Sequence, residues 1–318
     1  MQRRIWGFLS ILMICSILWI TGCTIQTHQK PQDKQVYKPV VYTTIYPMYD
    51  FTYQIGKDKI DLRKMIPPGA EPHDWEPTAK LMAELEKADV FIYNGVNMEP
   101  WVDKLLGAIQ NEKLIVVEAS QGIDLLTLQE HTHEESHDKE DHYGAYDPHV
   151  WLDPLNAIKQ AETIKNALIK ADESNQKFYE TNFEVFADEL KKLDKNFQER
   201  LRNIKRREVV VAHAAFGYMA KRYDLEQIAI TGLSPQQEPS AVKMAEISDF
   251  VKNHQLKYIF FETLTSPRLA QVLAKETGAR TEVLNPIGGL TEEEIKAGKN
   301  YISVMEENLS TLIKALGE

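Results

Sequence analysis

The sequence predicts an α/β protein of two lobes, each a mainly parallel sheet covered by helices, joined by one long rigid helix. From Tyr37 onward, short β-rich runs alternate with helical patterns, which is typical of parallel sheets with helices on both faces. A helical stretch from Asn175 to about Ile204, with neither Gly nor Pro, interrupts this alternation once. The alternation then restarts, so we expect two similar lobes, although no sequence repeat relates them.

Four strands are predicted in each lobe from runs of β-branched and aromatic residues bounded by turn residues. In the first lobe they span residues 40–44, 60–65, 90–93 and 114–117. In the second lobe they span residues 209–212, 227–230, 258–261 and 281–284.

Apolar residues at three- and four-residue spacing predict the helices between these strands. They span residues 48–55, 79–87, 100–109, 154–171, 216–223, 241–253, 267–276 and 301–316, besides the long helix. Pro100 suits a first helical turn, and Asn97 before it fits a helix start. Trp75, Trp101 and Trp151 are expected to anchor the core.

The N-terminus indicates export. Arg3 and Arg4 precede an apolar run over residues 5–20, which is shorter than the ~18 to 20 residues that comfortably span a bilayer. Small residues before Cys23 resemble a bacterial lipobox, in which the cysteine is lipidated and becomes the first mature residue. An uncleaved membrane anchor is the alternative. In either case we expect the body on the extracytoplasmic face of the cell membrane. If the lipobox is used, lipids such as palmitate on Cys23 hold it there.

These features predict five segments. They are a signal peptide 1–22, a flexible polar tether 23–36, an N-terminal lobe 37–172, a linking helix 173–206 and a C-terminal lobe 207–318. Within the first lobe, residues 129–142 hold four of the nine histidines among acidic residues and no aliphatic residue, which predicts an exposed loop. That loop is either simply solvated or a low-affinity collector of metal ions, and we favour the collector.

Composition excludes other classes. The chain carries 47 acidic against 37 basic residues, a formal charge of -10, which argues against nucleic-acid binding. Both cysteines, Cys15 and Cys23, lie at the N-terminus. The body therefore has neither a disulfide framework nor a cysteine-based zinc site.

Three histidines outside the His-rich loop are the candidate metal ligands. His73 and His149 lie in turn-rich loops, and His213 directly follows a predicted strand. Ligands of open α/β sheets bind beyond the carboxyl ends of the strands, so we expect the three rings to meet where the loops after the strands converge. Neutral imidazoles suit Zn²⁺, whereas Ca²⁺ and Mg²⁺ prefer oxygen; copper(II) also binds imidazole and stays possible. Affinity is expected to fall below about pH 6.5, where free imidazole is protonated.

Nearby carboxylates are candidates for supporting roles. Glu262 ends a predicted strand and either hydrogen-bonds a ligand histidine or is a plain strand-end residue. Asp74 and Asp153 follow ligand histidines and could orient them, although Asp153 before Pro154 also suits a helix cap.

Several motifs together resemble one family. Besides the lipobox they are IYPMYDF (45–51), EPHDWEPT (71–78), NGVNMEPWVDKLL (94–106), DPHVWLDP (147–154), HAAFGY (213–218), GLSPQQEPS (232–240), FFETLTSPR (260–268) and LNPIGGLT (284–291). In this order they resemble the zinc-specific substrate-binding lipoproteins of bacterial ABC importers, the cluster A-I binding proteins. The resemblance covers nearly the whole mature chain.

The resemblance implies a non-enzymatic, monomeric protein that binds one Zn²⁺ between two lobes and delivers it to a membrane permease and its ATPase. The family's zinc histidines fall on His73, His149 and His213; in manganese-binding relatives the third position is a carboxylate, which favours zinc here. Some relatives supply a fourth ligand near Asn285 or at the position of Gly288, where this chain has no carboxylate. We therefore expect water, or a carboxylate such as Glu71, in the fourth position.

Two other classes of function stay open at this point. Three histidines plus a water are also the catalytic arrangement of zinc hydrolases, although no HExxH or GxSxG motif is present. A surface adhesin, a role sometimes proposed for such lipoproteins, has no motif that would identify it.

Overall fold

The computed structural model describes residues 37–127 and 146–317. The predicted signal peptide 1–22, Cys23, the tether 23–36 and the His-rich loop 129–142 lie outside the described residues, so the expectations for them stay predictions. Among the helices described below, none is both long and apolar enough to cross a bilayer.

Two four-stranded parallel sheets organise the described chain. The first consists of β1 (Val40–Thr43), β2 (Asp61–Lys64), β3 (Val90–Tyr93) and β4 (Ile115–Glu118), in the order β2-β1-β3-β4. The second consists of β5 (Glu208–Val211), β6 (Glu226–Ala229), β7 (Tyr258–Phe261) and β8 (Arg280–Val283), in the order β6-β5-β7-β8. The two sheets share one topology without a recognisable sequence repeat. The predicted fold class is confirmed, and each predicted strand lies within one residue of the observed one.

Ten α-helices connect and cover the sheets within the described ranges. They are α1 (Tyr46–Gly56), α2 (Ala79–Leu85), α3 (Val102–Ala108), α4 (Pro154–Ala171), α5 (Gln176–Leu201), α6 (Gly217–Tyr223), α7 (Ala241–Asn253), α8 (Arg268–Thr277), α9 (Glu292–Lys296) and α10 (Tyr301–Gly317). Only α9 had no sequence prediction. It is a five-residue helix whose start is fixed by a capping box between Thr291 and Glu294.

The predicted start of α3 is wrong. Residues 95–97 all have positive φ angles, with Asn97 at 59°, so Asn97 lies in a left-handed loop and cannot precede a helix directly. The helix begins instead at Val102, with Trp101 as its N-cap.

The long helix α5 is the spine of the molecule. It runs for 26 residues and packs against α4, α1 and α10. Its buried stripe includes Phe186 and Phe197, which belong to one apolar core together with Val41 of the first sheet and Val211 of the second. Because both sheets contribute to that core, the two lobes are packed around a shared centre.

A segment following β8, residues 286–301, returns to the first lobe and bonds to it repeatedly. Its contacts are Trp151 Nε1 to Pro286 O (2.7 Å), Tyr46 N to Gly288 O (3.0 Å), Gly69 N to Leu290 O (3.0 Å) and Tyr301 N to Asp50 Oδ2 (2.9 Å). The Tyr301 hydroxyl also donates to the Trp151 carbonyl (2.5 Å). This returning segment fixes the second lobe against the first.

A single arginine makes a further tie between the lobes. Arg222 of α6 donates from Nε and Nη2 to the two carboxylate oxygens of Asp194 on α5, at 2.5 and 2.6 Å. Its Nε also lies 3.3 Å from Asp153 Oδ1, the N-cap of α4. One guanidinium therefore joins the spine, the second lobe and the first lobe.

We expect Arg222→Met to lower the free energy of unfolding by about 2–4 kcal/mol, because Asp194 is left buried without its charged partner. Lys191→Met is the matched control, since Lys191 pairs with Asp188 on the exposed face of the same helix, and its loss should change stability by less than about 0.5 kcal/mol. Urea unfolding of both variants measures the difference. Equal losses in the two variants would contradict the tie.

Candidate metal centre

The three candidate histidines lie near the carboxyl ends of the sheets. His73 belongs to a 3₁₀ helix, Pro72–Asp74, that follows β2. His149 directly precedes a second 3₁₀ helix, Val150–Leu152, and His213 comes two residues after β5. His149 and His213 are buried, with exposed fractions of 1% and 2%, whereas His73 is partly exposed.

The three rings converge on one point. The Nε2 atom of His149 lies 3.2 Å from that of His73 and 3.4 Å from that of His213. One nitrogen of each ring falls within 4.8 Å of the others, and the three form the one such cluster of metal-binding side chains in the described part of the chain. A tetrahedral zinc ion with Zn–N bonds of 2.0 to 2.1 Å places its nitrogen ligands about 3.3 to 3.4 Å apart. The observed spacing suits that geometry.

Asp147 orients the His149 ring. Its Oδ1 atom accepts hydrogen bonds from the backbone N–H of His149 (2.9 Å) and from ring Nδ1 (2.8 Å). Burial raises the pKa of Asp147 to about 7, against the lowering effect of the backbone hydrogen bond from His149. Asp147 was not among the residues predicted from the sequence. The sequence order Asp-Pro-His could have indicated this role, because an aspartate commonly accepts a hydrogen bond from the backbone N–H of the second residue after it and forms an Asx-turn.

Glu262 plays the same part for His213. Its carboxylate pairs with Nδ1 of the His213 ring, and both side chains are buried. The contact follows from the sheet, because β5 and β7 are parallel neighbours and the residues after their ends meet. Of the two roles left open for Glu262, the structure shows the hydrogen bond to a histidine.

Neither aspartate that follows a histidine has that role. Asp153 caps α4 by accepting the N–H of Leu155 at 2.8 Å and pairs with Arg222. Between Asp74 and the three rings the described structure has no hydrogen bond.

The carboxylates decide which nitrogens face the centre. When such a carboxylate is ionised it only accepts, so Nδ1 of the ring behind which it lies carries the proton and Nε2 presents a lone pair. Two lone pairs 3.4 Å apart repel each other unless a cation lies between them. Burial lowers the pKa of His149 well below its usual value, so a proton does not fill this role near neutral pH. The arrangement therefore suits a metal cation between the rings.

The third ring is also neutral. Burial, and then the proximity of His149 and His213, lowers the pKa of His73 to about 2. Neutral imidazole is the form that binds metal. His73 and His149 are therefore both in the metal-binding form near neutral pH.

The three rings line a small cavity of about 20 Å³. Glu71, Glu262, Asn285 and Gly288 contribute to its wall. Glu71 Oε1 accepts the N–H of His73 at 3.3 Å, and burial raises the pKa of Glu71 to about 7. His73 also lines a second, larger cavity of about 350 Å³.

Comparisons with known proteins agree with this geometry. A family model described as zinc-uptake complex component A, periplasmic, matches residues 41–315. The high-affinity zinc uptake system protein ZnuA of Bacillus subtilis (strain 168) is 41% identical over 312 residues, which are 98% of this chain and 98% of that protein. The zinc-binding lipoprotein AdcA of Streptococcus pneumoniae (strain ATCC BAA-255 / R6) is 41% identical over 307 residues, 96% of this chain but 60% of that protein. The chain thus spans about three fifths of the pneumococcal relative.

Structural similarity extends over most of the chain. The crystal structure of the Zn(II)-bound ZnuA-like domain of Streptococcus pneumoniae AdcA superimposes with a TM-score of 0.75 at 41% identity, covering 89% of this chain and 100% of that domain. The resemblance inferred from the sequence motifs is confirmed. The chain belongs to the family of periplasmic A components of zinc-uptake complexes.

Proposed function

We propose that this chain captures Zn²⁺ outside the cytoplasm with His73, His149 and His213 and delivers it to the membrane permease of an ABC importer driven by an ATPase. The observation that carries the proposal is the convergence of three imidazole rings, two of them with their Nε2 atoms 3.4 Å apart. Relatives whose names state zinc uptake and zinc binding support it.

Charge balance explains how such a centre holds a divalent ion in a buried place. The carboxylates of Asp147 and Glu262 stand directly behind two of the rings and are themselves buried. Two negative charges offset the two positive charges of the ion, which reduces the cost of burying either alone. The hydrogen bonds to Nδ1 also raise the basicity of the metal-binding nitrogens.

The donor set favours zinc. Three imidazole nitrogens at tetrahedral spacing suit Zn²⁺, whereas Ca²⁺ and Mg²⁺ need oxygen ligands. Copper(II) binds imidazole more strongly but prefers a square-planar or tetragonal arrangement. A water molecule or the carboxylate of Glu71 completes the tetrahedron, since Glu71 lines the same cavity.

Uptake is favoured over catalysis by family membership, because the matched family is a component of a zinc-uptake complex. A three-histidine hydrolase would also need a general base aimed at a metal-bound water. Two carboxylates line the cavity: Glu262 is paired with His213, and Glu71 accepts the N–H of His73.

We further propose that lipidated Cys23 holds a monomer on the outer face of the cell membrane and that residues 23–36 serve as a tether between the lipid and the lobes. The pneumococcal relative is named as a lipoprotein, which supports the anchor. In the same proposal, the histidines of residues 129–142 collect zinc weakly.

Zinc should stabilise the folded protein by RT ln(1 + [Zn]/Kd), about 4 kcal/mol at a thousandfold excess over Kd. Melting curves of purified protein with zinc and with chelator test this, together with the native metal content. We expect His213→Ala to abolish most of the zinc-dependent shift. His254→Ala is the control in the same lobe, because His254 is exposed and stacks on Phe250, and it should keep the shift. Coincident wild-type melts with and without zinc would refute the proposed function.

The pKa shifts change the expected pH dependence. If the three imidazoles had ordinary pKa values, each would release one proton on binding zinc below about pH 6.5. The slope of log Kd against pH would then correspond to three protons per ion. In the folded protein His73 and His149 are already neutral, so they release no proton on binding near neutral pH. Asp147, with a pKa of about 7, must ionise to stabilise the metal-bound ring. We therefore expect log Kd to rise by about one unit for each pH unit below 7.

The same titration distinguishes the fourth ligand. Glu71 also has a pKa of about 7, so a Glu71 ligand would release a second proton and steepen the slope to about two. Calorimetric zinc titrations at pH 6, in buffers of different ionisation enthalpy, count the released protons. A count near zero would contradict the raised pKa of Asp147.

Glu262→Gln should weaken zinc binding about tenfold, because the charge behind His213 is lost while the side-chain shape is kept. Glu282→Gln is the matched control on the neighbouring strand β8, where Glu282 pairs with Lys314 near the surface, and its Kd should stay within twofold of wild type. Competition titration against a zinc chelator measures both. Equal affinities in the two variants would contradict the role assigned to Glu262.

A further inference from the structure

The loop that follows β3 has an unusual backbone. Gly95, Val96 and Asn97 all have positive φ angles, of 88°, 53° and 59°. Val96 is β-branched, and such residues rarely adopt the left-handed region. Strain of this kind persists only where the surrounding structure holds the loop firmly.

A buried glutamate holds the loop. Glu99 Oε1 accepts the N–H of Asn94 at 3.0 Å, and its Oε2 accepts the N–H of Gly95 at 3.1 Å. The hydroxyl of Thr44, just after β1, donates to the same carboxylate. Glu99 therefore fixes the start of the left-handed loop to the end of the first sheet.

The side chain of Asn94 reaches from this loop to the metal centre. Its Nδ2 donates to Gly95 O (3.0 Å) and to Pro148 O (3.0 Å), and its Oδ1 accepts from Gln160 Nε2 (2.9 Å). Asn94 is completely buried, so no solvent competes for these bonds. The contact with Pro148 joins two stretches of chain 54 positions apart.

Gln160 determines which way the Asn94 amide points. It is completely buried on α4, and its Oε1 has no hydrogen-bond partner among the described residues. A buried polar atom without a partner is costly and needs an explanation. Here Gln160 uses its amide N–H on Asn94 Oδ1, which leaves Asn94 Nδ2 directed at the Pro148 carbonyl.

The peptide between Pro148 and His149 is thereby held at both ends. Asn94 holds its carbonyl oxygen, and Asp147 Oδ1 accepts its N–H at 2.9 Å. This peptide carries the His149 ring, whose Nε2 is the atom that both other rings approach, at 3.2 and 3.4 Å. A shift of the peptide would change both of these distances together.

We propose that Asn94 is a positioning residue for zinc binding: oriented by Gln160 and fixed by Glu99, it holds the Pro148 carbonyl so that His149 faces His73 and His213 at tetrahedral spacing. This inference rests on the proposed zinc-binding function. Asn94 does not touch the metal ligands themselves, and it acts through the backbone. Metal sites lose affinity when supporting groups outside the ligand set are removed, typically by 10–100-fold.

The test compares Asn94→Asp with Asn111→Asp in the full-length protein. Both substitutions keep the Oδ1 acceptor and remove the Nδ2 donor; Asn94 loses its bond to Pro148, and Asn111 loses a similar 2.9 Å bond to Ala88 O at the opposite end of the first sheet. We measure zinc Kd by chelator competition and the visible absorption of the Co²⁺-loaded protein, which reports the geometry of the ligands. A purely structural role would lower the melting temperature of the metal-free protein without changing the cobalt spectrum.

We expect Asn94→Asp to raise the zinc Kd at least tenfold and to change the cobalt spectrum, while Asn111→Asp leaves both within error of wild type. If Asn94→Asp does not fold, Gln160→Met carries the test. It removes the orienting amide and the unpaired oxygen together, and it should raise Kd about three- to tenfold with an altered spectrum. Unchanged Kd and spectrum in whichever variant folds, or equal changes in Asn111→Asp, would overturn the inference. If wild type itself binds neither zinc nor cobalt, the proposed function fails instead.

Discussion

The organisation of this protein depends on one electrostatic constraint, the repulsion between two imidazole lone pairs that the fold directs at each other. Asp147 and Glu262 fix the protons of His149 and His213 on Nδ1, which turns the bare Nε2 atoms toward one point. Burial lowers the pKa of His149, so protonation of the ring does not remove this repulsion near neutral pH. Carboxylate, imidazole and cation together form a nearly neutral unit, and that is how a doubly charged ion can be held away from water.

The rest of the fold supplies the precision that this constraint needs. Parallel strands bring residues from distant parts of the chain to one edge, so His213 after β5 meets Glu262 after β7. His149 belongs to the first lobe, however, and its relation to His213 depends on contacts between the lobes. Arg222, the returning segment 286–301 and the common core around α5 provide those contacts. The separation of two ring nitrogens by 3.4 Å is thus a property of the whole structure.

Regular structure and the three histidines could be predicted from the sequence because both leave local signals: alternating runs, helical spacing, and histidines beside strand ends. Supporting contacts could not be predicted in the same way. Asn97 resembled a helix start because its residue type suits an N-cap and nothing local marks the left-handed run at residues 95–97. The carboxylate of Glu99 that bonds the start of this run is itself bonded by Thr44, 55 positions away, and that contact has no local signal. Asp147 was overlooked although Asp-Pro-His is a turn signal, because its role depends on where the His149 ring points.

The centre is unequal in its three rings, and this matters for a protein that must both hold and surrender an ion. His149 and His213 are buried and each is backed by a carboxylate. His73 is partly exposed, sits on a short 3₁₀ helix capped by Glu71, and borders both the small cavity and the larger one. A structural zinc site encloses its ion with four protein ligands, whereas here two fixed rings are combined with a third at the edge of the cleft. The two buried rings are held by their carboxylates, and the third ring lines both cavities.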